Sequence, residues 1–262
     1  IDALAHAGRA LDELRYTEAA VAAAEFLLRE LRDQGGRWQR TWRAGEARHA
    51  AVLEDHAYLC RAFLSLFQST GDERWLAHAQ TLADAMISGY WDEVSGVFYT
   101  TDGSDPDLLH RLQSPWDGAT PAPNAVALES LVLLHAFDHD ERWLNVAERG
   151  LAAGLALVES SNPRAFTATL LALHRAVDEA RTAVVVGSGS RESLAGWRKA
   201  LFSAGTPPLL TVFRAQADPD SDLPLFAGRA AAKGLATLYL CRGTSCLPPS
   251  IDPDELDALL AQ

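Results

Sequence analysis

The sequence predicts a mainly α-helical protein, a partial ring of helical hairpins followed by a small α/β appendage. Similar segments with an acidic residue, an arginine and an aromatic residue recur at 12–20, 72–80 and 140–148. Each opens a helical pattern, and self-similarity at such intervals is typical of helical repeats. The apolar pattern then changes from a helical to a strand period. We therefore predict a helical part over 1–180 and an appendage over 181–262.

The apolar residues of the first part recur at helical spacing. The predicted helices span 4–14, 16–32, 56–70, 73–90, 124–138, 141–159 and 163–180. Those at 56–70 and 124–138 are apolar on nearly every face, and the helix after each has a narrower apolar stripe. Buried inner helices and half-exposed outer helices of a two-layer ring would produce this difference.

Two long segments, 33–55 and 91–123, lead into the predicted inner helices and are interpreted as loops. They are rich in Trp, Gly, Asp and Arg. Loops of more than about 15 residues inside a compact domain are usually functional. We therefore expect a binding site where these loops meet the ring.

The appendage alternates strands and helices. Strands are predicted at 182–187, 209–215 and 236–242, and helices at 190–204 and after Asp252. Asp252 suits the N-cap of the last helix, Pro253 its first turn and Glu255 the end of a capping box.

Composition excludes several classes of partner. The 262 residues are 48% hydrophobic and 22% charged, as in ordinary soluble globular proteins. The net charge of −12 and the scarcity of lysine, found only at 199 and 233, argue against nucleic acid and against a polybasic membrane patch. No apolar run approaches the roughly 20 residues that span a bilayer, and the first residues do not resemble a signal peptide. We expect a cytoplasmic protein.

Carboxylates lie where the long segments meet the inner helices. Glu54 and Asp55 precede His56 at one helix start, and Asp92 and Asp117 lie on the second segment. Asp55 is explained by helix capping as well as by a role in a cavity. His56 could act as a general acid or base, or could pack as a polar core residue. Two carboxylates about 5–10 Å apart could catalyse glycosidic chemistry, so Asp55, His56 and Asp117 are the candidate catalytic residues.

Aromatic residues precede two of these carboxylates, in the pairs Trp91-Asp92 and Trp116-Asp117. An indole face suits the C–H surface of a sugar, and carboxylates suit its hydroxyl groups. The candidate ligand-binding residues are Arg43, Glu54, Trp91, Asp92, Trp116 and Asn124. Asn124 is explained equally well as the N-cap of the inner helix. A sugar or small polyol in a central acidic and aromatic cavity is the leading hypothesis, with Asp55, Asp92 and Asp117 on one concave face.

Two weaker motifs have simpler explanations. His135 and His139 have the spacing of metal ligands on a helix, but no third ligand accompanies them. Gly187 and Gly189 lie between a predicted strand and helix, where backbone N–H groups could bind an anion or the chain could make a tight turn. We predict neither a metal nor a cofactor.

Four segments, in this order, carry a resemblance to a known family. They read RWQRTWRAGEARHAAVLEDHAYL, YWDEVSGVFYT, SPWDGATPAPNAVA and YLCRGTSCLPPSIDPDEL. The chain resembles the thioredoxin-domain-containing proteins related to spermatogenesis-associated proteins. This resemblance implies a partial (α/α) toroid, similar to N-acylglucosamine 2-epimerases and six-hairpin glycosidases. It also implies that a thioredoxin-like domain precedes the toroid in relatives.

The chain departs from that family at several places. The thioredoxin-like part and its Cys-x-x-Cys are absent from these residues, as are the first helices of the toroid. His56 stands where relatives usually have Tyr, and 121–125 reads PAPNA where relatives usually read PSGNS. Two hypotheses follow: a sugar-binding toroid, with or without epimerase- or glycosidase-like catalysis, and a non-catalytic partner module for a thioredoxin-like domain.

Cys241 and Cys246 are separated by four residues, including Gly243. Such a turn can bring their α-carbons within the roughly 4.4–6.8 Å that a disulfide requires. We predict this proximity and leave the bond open, because the cytosol keeps most thiols reduced.

An incomplete ring would expose the apolar side of its first hairpin. The residues concerned are Leu4, Leu11, Leu14, Val21 and Leu28. The appendage could cover them, a second copy could cover them, or these residues could be part of a longer chain. We favour the last origin and expect self-association through this edge.

Overall fold

The computed structural model describes residues 1–177, 181–203, 209–243 and 245–262. Its helices are α1 (Asp2–Ala10), α2 (Leu14–Glu30), α3 (Leu53–Thr70), α4 (Glu73–Tyr90), α5 (Pro123–Asp138), α6 (Glu141–Ser160), α7 (Thr167–Val177), α8 (Ala195–Leu201) and α9 (Leu256–Leu260). The helix-rich character predicted from the sequence is confirmed. The turn between α1 and α2 comes earlier than predicted, and 178–180, at the predicted end of the last helix of this part, lie outside the described residues.

The recurring acid-arginine-aromatic segment has a clear physical basis. Asp72 caps α4 by accepting a hydrogen bond from the N–H group of Arg74. The guanidinium of Arg74 lies 4.3 Å from the ring centroid of Trp75, which is fully buried. The same arrangement recurs at α6, where the arginine lies 4.6 Å from the buried tryptophan ring. The repeat therefore starts α4 and α6 and fixes their aromatic residues in the core, whereas its first copy, at α2, has no side-chain cap and a half-buried Tyr16.

The predicted difference in burial between the helices predicted as inner and those predicted as outer is confirmed. α3 and α5 bury residues on nearly every face, whereas α4 and α6 bury one stripe. Phe63 of α3 stacks on Trp75 of α4 at 5.7 Å, and Phe67 of α3 meets Phe137 of α5 at 5.2 Å. α3 and α5 thus form the centre of the helical core.

The two segments interpreted as loops contain short β-hairpins, so that interpretation is wrong in part. Strands β1 (Gln39–Arg43) and β2 (Glu46–Ala50) pair antiparallel, as do β3 (Trp91–Asp92) and β4 (Val97–Phe98). Gly45 and Gly96 take positive φ angles of 84° and 69° in the turns, a conformation that glycine adopts without steric cost. β1 and β2 are largely exposed on both faces, so their sequences lack the alternation that identifies a strand.

One mixed sheet forms the C-terminal part. Its strands, in the order β6-β5-β7-β8, are β5 (Arg181–Val186), β6 (Leu210–Arg214), β7 (Thr237–Arg242) and β8 (Ser245–Cys246). β5 runs parallel to β6 and antiparallel to β7, and the three predicted strands are confirmed. A short 3-10 turn and α8 occupy the position of the helix predicted at 190–204, of which residue 204 lies outside the described residues. Asp252 caps the final helical segment, as predicted, but the predicted capping box is wrong, because Glu255 accepts from the hydroxyl of Ser250 at 2.7 Å.

The sheet lies between two apolar layers. Val184 and Val186 of β5 join the core of the helical part. Val185, which points to the opposite face, packs with Trp197 of α8 and Leu256 of α9. The sheet is therefore covered by the helical hairpins on one side and by α8 and α9 on the other.

Polar contacts fasten the first hairpin to the sheet layer. Arg9 of α1 donates to the carbonyl and the hydroxyl of Thr211, each at 3.3 Å. Arg198 of α8 donates to the carboxylate of Asp12 at 2.9 Å. The C-terminal part therefore packs against the first hairpin.

The expected exposure of the first hairpin is accordingly wrong in part. Leu4, Val21 and Leu28 are half-buried against the core. Leu11 and Leu14 remain 64% and 44% exposed. Of these five residues, only the two at the end of the hairpin are exposed.

The predicted proximity of Cys241 and Cys246 is confirmed, and the two form a disulfide. Their α-carbons lie 3.9 Å apart, closer than expected. The reason is their register, since they face each other directly across the antiparallel pair β7 and β8.

None of the helices within the described ranges is long and apolar enough to cross a membrane.

Candidate functional site

A pocket of about 330 Å³ opens where the chain enters α3 and α5. Its lining comprises Val52, Leu53, Glu54, Thr100, Ser114, Trp116, Gly118, Thr120, Pro121, Ala122, Pro123 and Asn124. We call it the helix-entry pocket. The N-caps of α3 and α5 are Val52 and Ala122, and neither provides a side-chain acceptor. The N-cap residues themselves therefore leave the first N–H groups of both helices to other acceptors.

Three of the candidate residues line this pocket: Glu54, Trp116 and Asn124. Trp116 is 55% exposed, a large fraction for an indole. Glu54 has a 46% exposed side chain, and its only close cation among the described residues is Arg40, at 3.5 Å. The pocket thus combines an accessible aromatic face with an accessible carboxylate.

Asn124 forms the floor of the pocket and is not a helix cap. Its Oδ1 accepts from the N–H of Phe98 at 2.7 Å, and its Nδ2 donates to the Phe98 carbonyl at 3.1 Å. The N-cap of α5 is Ala122, so Asn124 lies inside the first turn. The prediction that Asn124 caps α5 is therefore wrong, because its amide satisfies the backbone of β4 instead.

Asp55 and His56 support the start of α3. Asp55 accepts from the N–H of Val52 at 2.9 Å, which is the carboxylate contact of a capping box, and lies 3.6 Å from Arg40. The Nδ1 atom of the buried His56 lies 3.0 Å from the carbonyl of Val52, and its ring packs on Tyr90. These partners favour the capping alternative for Asp55 and the packing alternative for His56.

Asp117 connects two helix starts. Its Oδ1 accepts from the N–H of Ala122 at 2.8 Å, and its Oδ2 accepts from the N–H of Ala168 at 2.9 Å. Both oxygens therefore hold the backbone around the pocket in place. Asp117 shapes the pocket without appearing in its lining.

Trp91 and Asp92 lie on the β3–β4 hairpin, next to the pocket floor. Asp92 accepts from the hydroxyl of Ser95 at 2.7 Å and from the N–H of Val94 at 3.2 Å. The Ser95 hydroxyl and then the Val94 N–H lower the pKa of Asp92. Trp91 packs edge-on against Phe98, the residue that Asn124 holds, with 4.8 Å between ring centroids.

Arg43 ends strand β1 opposite Glu46 and is exposed. It does not line the helix-entry pocket. The expectation that Asp55, Asp92 and Asp117 share one concave face remains a prediction. Each of the three carboxylates contacts groups close to it in sequence.

A second cavity, of about 350 Å³, contains a charged network that the sequence analysis missed. Arg61 of α3 pairs with Asp2 of α1 at 3.1 Å and with Glu129 of α5 at 3.3 Å. Arg175 of α7 pairs with Glu129 at 2.8 Å. Arg9 is 95% out of solvent, and burial lowers its pKa to about 10. One signal was available, because Glu129 is the single carboxylate in the apolar stretch 124–137.

The weaker motifs have structural roles. The N–H groups of Gly187 and Gly189 donate to the carbonyls of Arg214 and Ala215 at 2.7 and 3.0 Å. The tight-turn alternative therefore holds, because these donors are already used. His135 Nδ1 lies 3.3 Å from the Asp140 carbonyl, and within the described residues no three potential ligands cluster as a metal site would require.

Comparison with known proteins supports the family resemblance. No protein-family model matches the chain. The mouse protein named spermatogenesis-associated protein 20 is 27% identical over 284 residues, covering 100% of this chain and 35% of that protein. The human protein of that name is 27% identical over 267 residues, covering 97% of this chain and 34% of that protein. An uncharacterized protein of Caenorhabditis elegans, B0495.5, is 26% identical over 270 residues, covering 99% of this chain and 36% of that protein.

The chain spans about 35% of the length of these curated relatives. The similarity nevertheless covers nearly all of the chain's own residues, which include every motif that carries the resemblance. The comparison therefore supports a relationship of this chain to the spermatogenesis-associated protein 20 family.

Proposed function

We propose that the protein binds a sugar or small polyol in the helix-entry pocket. The observation that carries this proposal is the exposed indole of Trp116 beside the accessible carboxylate of Glu54. An indole face accommodates the C–H surface of a sugar ring, and a carboxylate accepts hydrogen bonds from its hydroxyl groups. The volume of about 330 Å³ suits a single ring or a short polyol.

The proposed activity is binding without catalysis. Asp55, His56 and Asp117 each have backbone partners that explain their positions. Glycosidic chemistry ordinarily requires two accessible carboxyl groups about the bond to be cleaved. Glu54 is the one carboxylate in the pocket lining, so the geometry favours a binding site over an epimerase- or glycosidase-like centre.

We further propose that the hairpins are part of an (α/α) toroid. Three features support this arrangement: the alternation of buried and half-buried helices, the pocket at the starts of α3 and α5, and the ion pairs that join α1, α3, α5 and α7. In such a ring the helix-entry pocket would lie at the mouth of the central cavity.

A thermal-shift screen, followed by calorimetric titration, tests the binding proposal. Neutral monosaccharides, acidic sugars and polyols are titrated into the protein, into Trp116→Ala and into Trp42→Ala. Trp42 is a matched control, because it is 42% exposed but lies on the β1–β2 hairpin away from the pocket lining. We expect saturable binding of at least one sugar or polyol, weakened about tenfold or more by Trp116→Ala and unchanged by Trp42→Ala. Absence of binding across the panel, or equal binding by Trp116→Ala, would contradict the proposal.

The alternative is a partner module for a thioredoxin-like domain, which the family resemblance implies. The observation in its favour is that Asp55, His56 and Asp117 contact backbone and do not line the pocket, as expected of a non-catalytic module. Failure of every sugar in the screen, together with saturable binding of a relative's N-terminal part to this chain, would favour that alternative.

A further inference from the structure

The Cys241–Cys246 disulfide lies at the open edge of the C-terminal sheet. β8 is the outermost strand, and it pairs only with β7 in the order β6-β5-β7-β8. Cys241 is buried on β7, whereas Cys246 is exposed on β8. The N–H of Leu247 donates to the Leu240 carbonyl at 2.9 Å, next to the bridged pair. A solvent reagent can therefore approach the bond from the side of Cys246 without opening the core.

A cation faces both sulfur atoms. Nη2 of Arg229 lies 3.2 Å from Sγ of Cys241 and 3.2 Å from Sγ of Cys246. Nη1 of Arg229 donates to the Leu225 carbonyl, and the guanidinium lies 5.8 Å from the centroid of the Tyr239 ring. These contacts hold the guanidinium over the disulfide.

No carboxylate among the described residues pairs with this cation. Among the residues that the structure describes, Arg229 forms no ion pair. Burial, as the largest influence, lowers the pKa of Arg229. A half-buried guanidinium without a counter-ion stabilises any negative charge that develops on the adjacent sulfur atoms.

We propose that Cys241–Cys246 is a redox site that exchanges with an external dithiol, and that Arg229 stabilises the departing thiolate. A thiolate of the dithiol attacks Sγ of Cys246 and forms a mixed disulfide. The bond between the two chain sulfurs breaks, and its electron pair stays on Cys241 as a thiolate next to Arg229. The second thiol of the dithiol then attacks the dithiol sulfur that is bonded to Cys246. This step closes the oxidised dithiol and releases Cys246. The dithiol is oxidised by two electrons, and its two protons pass to the reduced cysteine pair.

A purely structural role explains these observations less well. The two cysteines have a sequence separation of 5, so the bridge closes a short loop. A short loop lowers the entropy of the unfolded chain less than a long one, so this disulfide stabilises the fold less than most. A role in stability alone would also not require a cation at both sulfurs.

The remaining cysteine, Cys60, does not react in a thiol assay on the folded protein. Cys60 is fully buried, and burial raises its pKa to about 12. Its thiolate is therefore scarcely populated at neutral pH, and its sulfur is shielded from reagents. Alkylation of the folded chain thus reports the pair.

Redox titration with reduced and oxidised dithiothreitol tests the proposal. Samples of the folded chain are alkylated near neutral pH with an excess of N-ethylmaleimide, which also quenches the dithiol, and the state of each cysteine is read by mass spectrometry while circular dichroism follows folding. We expect reversible reduction with the fold retained. We expect Arg229→Met to reduce about tenfold more slowly than the wild type near neutral pH, because the leaving thiolate loses its cation. We expect Arg229→Lys to recover part of that rate.

Arg242→Met is the matched control, since Arg242 is exposed, adjoins Cys241 in sequence and carries the same charge. It should react within about twofold of the wild type, as an exposed charge is screened. If Arg229→Met does not fold, Arg229→Gln and Arg229→Lys provide the same comparison. Reduction of the wild type only together with loss of the fold would overturn the proposal, as would equal rates in the wild type and the Arg229 variants. Sugar binding is a separate property, so either result leaves the proposed function unaffected.

Discussion

Asp117 lies between the loop that precedes α5 and the first turn of α7. Its two carboxylate oxygens accept hydrogen bonds from the N–H groups of Ala122 and Ala168. These donors belong to backbone at helix starts, which otherwise has no intrahelical acceptor. The side chain therefore holds Trp116, its neighbour, in place beside the pocket through the backbone that both residues share.

Asp117→Ala should lower the free energy of unfolding by about 1–3 kcal/mol, because two backbone N–H groups lose their acceptor. Urea denaturation measures this change. Asp107→Ala is the control, since Asp107 is exposed on the same loop and its substitution should change stability by less than about 0.5 kcal/mol. Equal denaturation midpoints for the two variants would show that Asp117 has no structural role.

At the residue scale, local interactions could be predicted and distant ones could not. The capping alternative for Asp55 follows from its position near a helix start, and its partner Val52 is three residues away. The partner of Asn124 is Phe98, which is 26 residues away on a strand that the sequence does not reveal. The position of Asn124 near a helix start therefore suggested an N-cap. In the structure its side chain bonds the backbone of a distant strand instead.

Gly71 joins two structural elements at the end of α3. It takes a φ of 66° at the C-cap, where the chain turns into α4. A Cβ atom added there would lie 2.6 Å from Cβ and 2.9 Å from Cα of Arg214 on strand β6. The turn between inner and outer helix therefore packs directly on the sheet.

Gly71→Ala should destabilise the protein by about 1–2 kcal/mol through left-handed backbone strain, and by about a further 1–3 kcal/mol through overpacking against β6. Gly36→Ala isolates the first contribution, because Gly36 has a φ of 79° and nothing lies within 4 Å of an added Cβ. Thermal unfolding of both variants measures the difference. A Gly71→Ala loss no larger than that of Gly36→Ala would mean that the turn does not press on the sheet.

Elements with a strong period could be predicted, and short exposed ones could not. The outer helices begin at Glu73 and Glu141, next to the capping acids of the repeat. The buried strand β5 is apolar at every position from 183 to 186, and its three β-branched valines favour a strand. The hairpins β1–β2 and β3–β4 have exposed or two-residue strands, so neither burial nor alternation marks them in the sequence.

The whole molecule is held together by interactions between distant segments. A chain of ion pairs links α1 to α3, α3 to α5 and α5 to α7. The sheet closes over α1 and α3, with Val186 and Val212 in the helical core. Neither feature can be predicted from the periodicity of the sequence, because both depend on which faces of the helices and the sheet pack together.

Leu11 and Leu14 are the apolar residues of the first hairpin that remain exposed. We expect self-association that rises with protein concentration, because adjacent apolar side chains favour burial between copies. Leu11→Ser combined with Leu14→Ser should shift the protein toward monomer in size-exclusion chromatography with light scattering. Leu155→Ser, on the outer helix α6, should leave the association unchanged. A wild-type monomer at every concentration would rule out this expectation.

The most direct test of the proposed sugar-binding site follows the indole N–H resonances of the 7 tryptophans in a ¹⁵N-labelled sample. The resonances of Trp116 and Trp42 are assigned by their loss in Trp116→Phe and Trp42→Phe. During titration with a sugar or polyol, we expect the Trp116 resonance to shift saturably while that of Trp42 stays in place. A Trp116 resonance that does not move for any sugar in the panel, or that moves no more than Trp42, would contradict the account.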